Sequence, residues 1–297
     1  MSEPTQDKWA EWLLNRRHGG DPNQLEVTLD FLRPVRERVL TNAAVKEGDV
    51  VLDVGTGDGL IAFGALDLAG ERGRVIFSDV SEDLLAHTRT LAGEMEVLDR
   101  CAFLLTAAED LGALDDASVD VVTTRSVLIY VEDKLRAFEE FHRVLRPGGR
   151  LSIFEPINIF GYPEPAHLFR GYDVTPVQDL ARKVSAVYER IQPPDTDPML
   201  NFDERDLLAH AERAGFGEIH LTLEVDISPG NPPMVAGGWE NFVRTAGNPK
   251  IPTLEEAMDE ALTQAEAERF EAFLRPLVDR EEGTQRYAVA YLWAVKR

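Results

Sequence analysis

A short apolar strand followed by a glycine-rich turn, GDVVLDVGTGDGL at 48–60, constrains the fold of this chain most strongly. The run VVLDV at 50–54 is typical of a strand that is covered on both faces in a parallel sheet. The glycines at 55, 57 and 59 lack a Cβ, so a ligand can lie directly against the main chain there. The stretch therefore predicts a strand–turn–helix unit that binds a nucleotide-like cofactor.

Asp53, two residues before the first glycine, helps to discriminate among such cofactors. A carboxylate at this point would repel a dinucleotide pyrophosphate at the helix N-terminus, whereas S-adenosylmethionine carries an ammonium and a sulfonium. The spacing is also G-x-G-x-G rather than the G-x-G-x-x-G of dinucleotide-binding proteins. The turn favours S-adenosylmethionine, and the alternative is a tight turn that binds no ligand.

A second acidic residue, Asp79, ends the next predicted strand, RVIFSD at 74–79. A carboxylate at this place can accept both hydrogen bonds of a ribose diol. Ser81 fits as the N-cap of the following helix, which leaves Asp79 free for a ligand.

Strands and helices then alternate along the chain, a pattern that specifies an α/β fold with an open, mostly parallel sheet and helices on both faces. Ligands of such sheets bind at the carboxyl ends of the strands. The remaining predicted strands are 102–106, 119–125, 151–156, 219–227 and 287–295.

Four motifs in order resemble those of the class I, Rossmann-like S-adenosylmethionine-dependent methyltransferases, in their small-molecule branch. They are VLDVGTGDG (51–59), IFSD (76–79), AAEDL with DDASVDVVTTRSVLIYVED (107–133), and RVLRPGGRLSIFEP (143–156). The resemblance implies an open seven-stranded sheet whose last strand is antiparallel. Long segments after strands five and six add helical lid and cap insertions.

The same resemblance implies the cofactor site. Asp53 and the glycine turn would hold the methionine portion, Asp79 the ribose, and Val80 would flank the adenine. The family's usual acid of the third motif is missing from TAAE at 106–109, so the backbone of Ala108, or the carboxylate of Glu109 or Asp110, would contact the adenine instead. The predicted cofactor residues are Asp53, Gly55, Thr56, Gly57, Asp58, Gly59, Asp79, Val80, Ala108, Glu109, Arg125 and Ser126.

The predicted domain organisation places the cofactor core between added segments. Trp9, Trp12 and Leu13 lie on the apolar side of a first helix, which is either a packed extension or a flap over the cofactor. The segments are an N-terminal helical extension (1–44), the cofactor core (45–156), a lid insertion (157–200), further core (201–227), a helical cap (228–285) and the last core strand (286–297).

Methyl transfer from a sulfonium is an in-line displacement that depends on positioning and exclusion of water. A base is needed only for a hydroxyl or a protonated amine. The aromatic, Pro-rich lid and the acidic chain predict a small, neutral or cationic, aromatic acceptor that is methylated on oxygen or nitrogen. Catalytic candidates are His18, Tyr130 and His167, and acceptor-binding candidates are Tyr130, Glu155, Tyr162, His167 and Tyr172.

The composition and charge of the chain limit which kinds of binding partner are expected. A formal net charge of −22 argues against nucleic acid and acidic membranes. The single Cys101 excludes disulfides within the chain and a cysteine metal cluster, and the first residues show no secretory signal, which favours the cytoplasm. Oligomeric state stays open. Two alternatives remain: a nicotinamide-dependent oxidoreductase, and a non-catalytic protein that binds S-adenosylmethionine and serves as a partner to another methyltransferase.

Overall fold

The computed structural model describes residues 7–18, 22–230 and 237–297, without the side chains of 18, 22–29 and 31. Within these residues, nine strands form a seven-stranded sheet and a small hairpin. They are β1 (Val50–Val54), β2 (Arg74–Asp79), β3 (Cys101–Leu105), β4 (Val119–Arg125), β5 (Leu145–Pro156), β6 (Leu168–Phe169), β7 (Tyr172–Asp173), β8 (Phe216–Pro229) and β9 (Thr284–Lys296).

The seven-stranded sheet has the order β3-β2-β1-β4-β5-β9-β8, and β6 pairs with β7 apart from it. Neighbouring strands from β3 to β5 are parallel, while β9 runs antiparallel to both β5 and β8. The predicted Rossmann-like sheet with an antiparallel last strand is thereby confirmed. Because the strand order reverses between β1 and β4, their carboxyl ends border a crevice suited to ligands.

Helices cover both faces of this sheet, and a further group lies in the insertions. The α-helices of the described part of the chain are α1 (Lys8–Leu14), α2 (Pro22–Ala43), α3 (Leu60–Ala69), α4 (Glu82–Glu94), α5 (Lys134–Val144), α6 (Gln178–Ile191), α7 (Glu204–Ala214), α8 (Gly238–Arg244), α9 (Leu254–Ala261) and α10 (Gln264–Asp279). α2 and α3 pack on one face with β1, and α5 and α7 pack on the other with β5. None of these helices is long and apolar enough to cross a lipid bilayer.

The two insertions share one hydrophobic core, although strand β8 and helix α7 separate them in sequence. Phe169 and Tyr172 of the first insertion meet Phe270 and Phe242 of the second at ring-centroid distances of 5.6 Å in both pairs. Helices α6, α8, α9 and α10 complete this cluster. We call the joint unit, residues 157–200 with 237–283, the cap.

Helix α7 begins later than its local sequence pattern suggests. The pattern NFDE suggests Asn201 as the N-cap, but Asp203 caps the helix and forms a capping box with Asp206. Asn201 instead accepts a hydrogen bond from the Lys134 ammonium at 2.7 Å. Asn201 therefore bonds to a buried lysine from a distant part of the chain and does not cap the helix, as its local pattern had suggested.

Candidate functional site

A cavity of about 460 Å³ lies at the carboxyl ends of β1, β2 and β4, within the range of small-molecule sites. Core strands, the N-terminal segment and the cap all contribute to its wall. The core residues that line it include Val54, Gly55, Gly57, Asp79, Val80, Ala108, Glu109, Arg125, Ser126 and Tyr130. The structure thus brings together most of the predicted cofactor residues, while Asp53, Thr56, Asp58 and Gly59 do not line the cavity.

The glycine turn takes a backbone shape that favours glycine. Gly55 and Gly57 have φ angles of 63° and 56°, in the left-handed region. The turn is tied to the end of β2, because the Thr56 amide donates to the Ser78 carbonyl at 2.9 Å. This tie holds the turn beside the cavity.

Asp79 joins the turn, strand β2 and helix α4 at one point. Its Oδ2 accepts a hydrogen bond from the Gly57 amide at 2.9 Å, and its Oδ1 accepts one from the Ser81 amide at 3.0 Å. The residue is 6% exposed, and burial raises the pKa of its carboxyl. Since each carboxylate oxygen has a second lone pair, both can still accept from a ribose diol. Ser81 caps α4 through the Leu84 amide, as the sequence predicts.

Asp53 lies behind the turn rather than on the cavity wall. Its Oδ1 accepts a hydrogen bond from the Thr123 hydroxyl at 2.7 Å. Burial raises the pKa of this carboxyl to about 6. Asp53 would therefore stabilise a bound cation by its charge and by holding the turn, and not by direct contact at the cavity wall.

The loop after β4 is held by a buried carboxylate. Glu155 of β5 accepts hydrogen bonds from the backbone amides of Val127, Leu128 and Ile129 at 2.9, 3.0 and 3.2 Å. Ser126, at the start of this loop, has a left-handed φ of 56°. The prediction that Glu155 binds the acceptor needs correction, because its oxygens face these amides and the residue does not line the cavity.

We expect Glu155→Gln to change the pH dependence of stability. Burial raises the pKa of Glu155 to about 7, above the value of about 4.3 for an unfolded chain. The folded state therefore binds the proton more tightly, and the free energy of unfolding should fall as pH rises through this window. Urea denaturation measures this change. Between pH 5 and pH 8, the free energy of unfolding of wild type should fall by about 2–3 kcal/mol more than that of Glu155→Gln. A stability difference that stays constant across these pH values would contradict the assignment.

The N-terminal segment 7–18, which we call the flap, closes one side of the cavity. Trp9, Trp12, Leu13 and Arg17 line the wall. That this segment opens and closes over the cofactor stays a prediction. Asp7 caps α1, and it also accepts a hydrogen bond from the Ser81 hydroxyl at 2.6 Å.

The cap holds the other end of the flap. The Trp12 indole N–H donates to the Ala246 carbonyl at 2.8 Å. Arg16 forms an ion pair with Glu256 on the same side. The flap therefore connects the cofactor core with the cap across the cavity.

Tyr130 is the one acceptor-side candidate that the structure brings to the wall among the residues it describes there. Its ring packs edge-on against Trp9 with centroids 4.9 Å apart. Burial raises the pKa of its hydroxyl above the ordinary value. At neutral pH the residue is therefore a hydrogen-bond donor and an apolar surface, not a base.

The other lid candidates lie away from the cavity. Tyr172 is 1% exposed in the cap core, where the Phe242 ring packs against it. Tyr162 is 40% exposed, and His167 is also exposed, and neither lines the cavity. Tyr172 therefore packs inside the cap, while Tyr162 and His167 face solvent. The prediction that these three residues contact the acceptor is corrected, because none of them lines the cavity. The side chain of His18 lies outside the described residues.

Sequence reasoning missed several residues of the wall. Arg17 was not singled out, although the pattern KWAEWLLNRR places it beside the two tryptophans. Met199, Gly247 and Asn158 come from the insertions, and no local signal marks them. Their positions follow from how the cap is seated on the core.

Comparisons with known proteins bear on this site. Residues 52–153 match the family model of a methyltransferase domain. The chain is 33% identical over 140 residues to the ubiquinone/menaquinone biosynthesis C-methyltransferase UbiE of Marinomonas sp., an overlap of 46% of this chain and 53% of that protein. It is 31% identical over 126 residues to the arsenite methyltransferase of Halobacterium salinarum, which is 42% of this chain and 32% of that protein.

The chain spans about half the length of the UbiE relative that it matches. Its fold is similar to the crystal structure of the YcgJ protein from Bacillus subtilis, with a TM-score of 0.57 at 18% identity over 89% of this chain and 99% of that one. The matched region contains the glycine turn, Asp79 and the loop after β4, the parts that form the cavity wall. Residues 52–153 are therefore a methyltransferase domain, and their sheet has the Rossmann-like strand order expected of the class I, S-adenosylmethionine-dependent enzymes.

Proposed function

We propose that this protein transfers a methyl group from S-adenosylmethionine to a small-molecule acceptor. The observation that carries the proposal is the cavity in which the glycine turn and Asp79 meet an apolar wall from the flap. When bound, S-adenosylmethionine would supply an electrophilic methyl group. The residues fit this cofactor, since Asp79 retains acceptor capacity for a diol and the turn exposes backbone beside it.

The chain's own residues then have three tasks. Asp79 would orient the nucleoside, with Val80 and Ala108 beside the adenine. Trp9, Leu13 and Tyr130 would exclude water from the reacting atoms, where exclusion strengthens electrostatic interactions. The loop after β4, held by Glu155, would place Arg125 and Ser126 near the sulfonium.

The wall limits what the acceptor can be. Its described residues include no histidine, and its carboxylates, Asp79 and Glu109, are assigned to the nucleoside. The acceptor should therefore bring an atom that is nucleophilic without proton removal by the protein. Oxygen and nitrogen are the atoms that the sequence predicts. The two relatives are named for carbon and arsenite methylation, which adds those acceptors to the candidates.

Calorimetry and a turnover panel test the proposal. S-adenosylmethionine and S-adenosylhomocysteine should both release or absorb heat on binding, and absence of heat up to about 1 mM would contradict the cofactor assignment. Turnover should then appear with one of a panel of phenols, amines, quinols, thiols and arsenite. Binding without turnover on the whole panel would favour the non-catalytic partner protein. A fluorescence change with reduced nicotinamide, in place of that heat, would favour the oxidoreductase.

A further inference from the structure

Arg17 in the flap is a buried cation that forms no hydrogen bond or ion pair with a carboxylate in the described part of the chain. It is 8% exposed, it lines the cavity, and its Nε has no hydrogen-bond acceptor. Burial and the nearby charge of Arg125 lower the pKa of Arg17 to about 10, against the opposing charge of Asp58, so the group remains charged at neutral pH. A buried charge is costly unless something pairs with it.

Arg125 brings a second guanidinium to the same wall. It lies at the end of β4, and its side chain forms no hydrogen bond or ion pair within residues 7–18, 22–230 and 237–297. The Trp12 ring centroid lies 5.4 Å from the Arg17 guanidinium carbon, so a cation–π contact orients the flap arginine. Two arginines therefore line one cavity in a chain whose net charge is −22.

We propose that Arg17 and Arg125 together bind a carboxylate, or an oxyanion of similar shape, inside the cavity. The guanidinium is a planar fork whose donors match the two oxygens of a carboxylate. The inference rests on the proposed function, because the anion would be either the amino-acid carboxylate of the cofactor or an anionic group of the acceptor. In the second case, the local pair of cations outweighs the net charge that predicted a neutral or cationic acceptor.

The first arm of the test measures the cofactor carboxylate. Wild type, Arg17→Gln and Arg125→Gln are titrated by calorimetry with S-adenosylhomocysteine and with its decarboxylated analogue, which keeps the adenosine and the amino group. Each substitution should weaken the binding of S-adenosylhomocysteine about 10- to 100-fold and change the affinity for the analogue less than twofold. An equal loss for both ligands would overturn the assignment, because it would indicate general damage to the site.

The second arm measures an anionic acceptor. If S-adenosylhomocysteine binds the variants as well as wild type, the loaded proteins are titrated with benzoate as the probe. Binding of benzoate to loaded wild type, lost in both variants, would identify the acceptor as the source of the anion. If benzoate binds all three proteins alike, or binds none of them, the proposal that the two arginines bind an anion is refuted.

Two controls separate binding from folding. Arg72→Gln removes an exposed arginine that pairs with Glu47 away from the cavity and the flap, and it should leave both affinities unchanged. The melting temperature of ligand-free Arg17→Gln should equal or exceed that of wild type, because an unpaired buried charge is gone, and a marked drop would overturn the proposal. Wild type that fails to bind S-adenosylhomocysteine refutes the proposed function and this inference together, whereas equal binding by every variant with no benzoate effect refutes the inference alone.

Discussion

Asp79→Ala is expected to weaken the binding of S-adenosylhomocysteine about 100-fold, which corresponds to about 2.7 kcal/mol. The substitution removes the acceptor for the ribose diol, and hydrogen bonds to charged groups contribute about 1.5–3 kcal/mol. It also releases the Gly57 and Ser81 amides that Asp79 holds at 2.9 and 3.0 Å. Calorimetry with the purified variant measures the loss.

Glu109→Ala is the matched comparison, because Glu109 is a second carboxylate on the same cavity wall. Glu109 is assigned to the adenine edge, and it forms no hydrogen bond to the glycine turn comparable to that of Asp79. The loss of binding affinity in Glu109→Ala should therefore be at least several-fold smaller. Equal losses in the two variants would contradict the assignment of Asp79 to the ribose. A melting temperature measured without ligand shows how much of the Asp79 effect comes from the turn itself.

Opening the flap should have the second largest effect. The double variant Asp7→Ala with Trp12→Phe removes the hydrogen bond from Ser81 at one end and the bond to the Ala246 carbonyl at the other. Loss of an N-cap costs about 0.5–2 kcal/mol, and loss of a neutral hydrogen bond costs about 0.5–1.5 kcal/mol. The closed state should therefore become about 10- to 100-fold less populated. Turnover should fall accordingly, since water would enter the site.

Hydrogen exchange of the α1 amides measures this opening directly. Glu11→Ala is the control on the same helix, because Glu11 is exposed and its side chain accepts a hydrogen bond from Asn15 on the outer surface. Exchange and turnover should match wild type in that variant. Unchanged exchange in the double variant would mean that other contacts hold the flap closed.

The sequence alone determined the part of the site whose signals are local. The apolar run of β1 and the alternating glycines require a buried strand and a left-handed turn, and the structure has both. Asp79 follows from its place at the carboxyl end of the next strand, because parallel strand ends share one edge of the sheet. The alternation of strands and helices likewise leaves few other topologies.

Only the tertiary structure decided which distant side chains meet. Tyr172 looks like a stacking surface in sequence, but Phe242, 70 positions later, buries it in the cap core. Glu155 ends a strand as a binding residue would, yet three amides of a loop some 27 positions earlier enclose its carboxylate. Arg17 becomes a cavity cation because the flap folds back between core and cap. Burial and pairing of this kind depend on packing between segments far apart in the chain, which local periodicity and capping patterns do not encode.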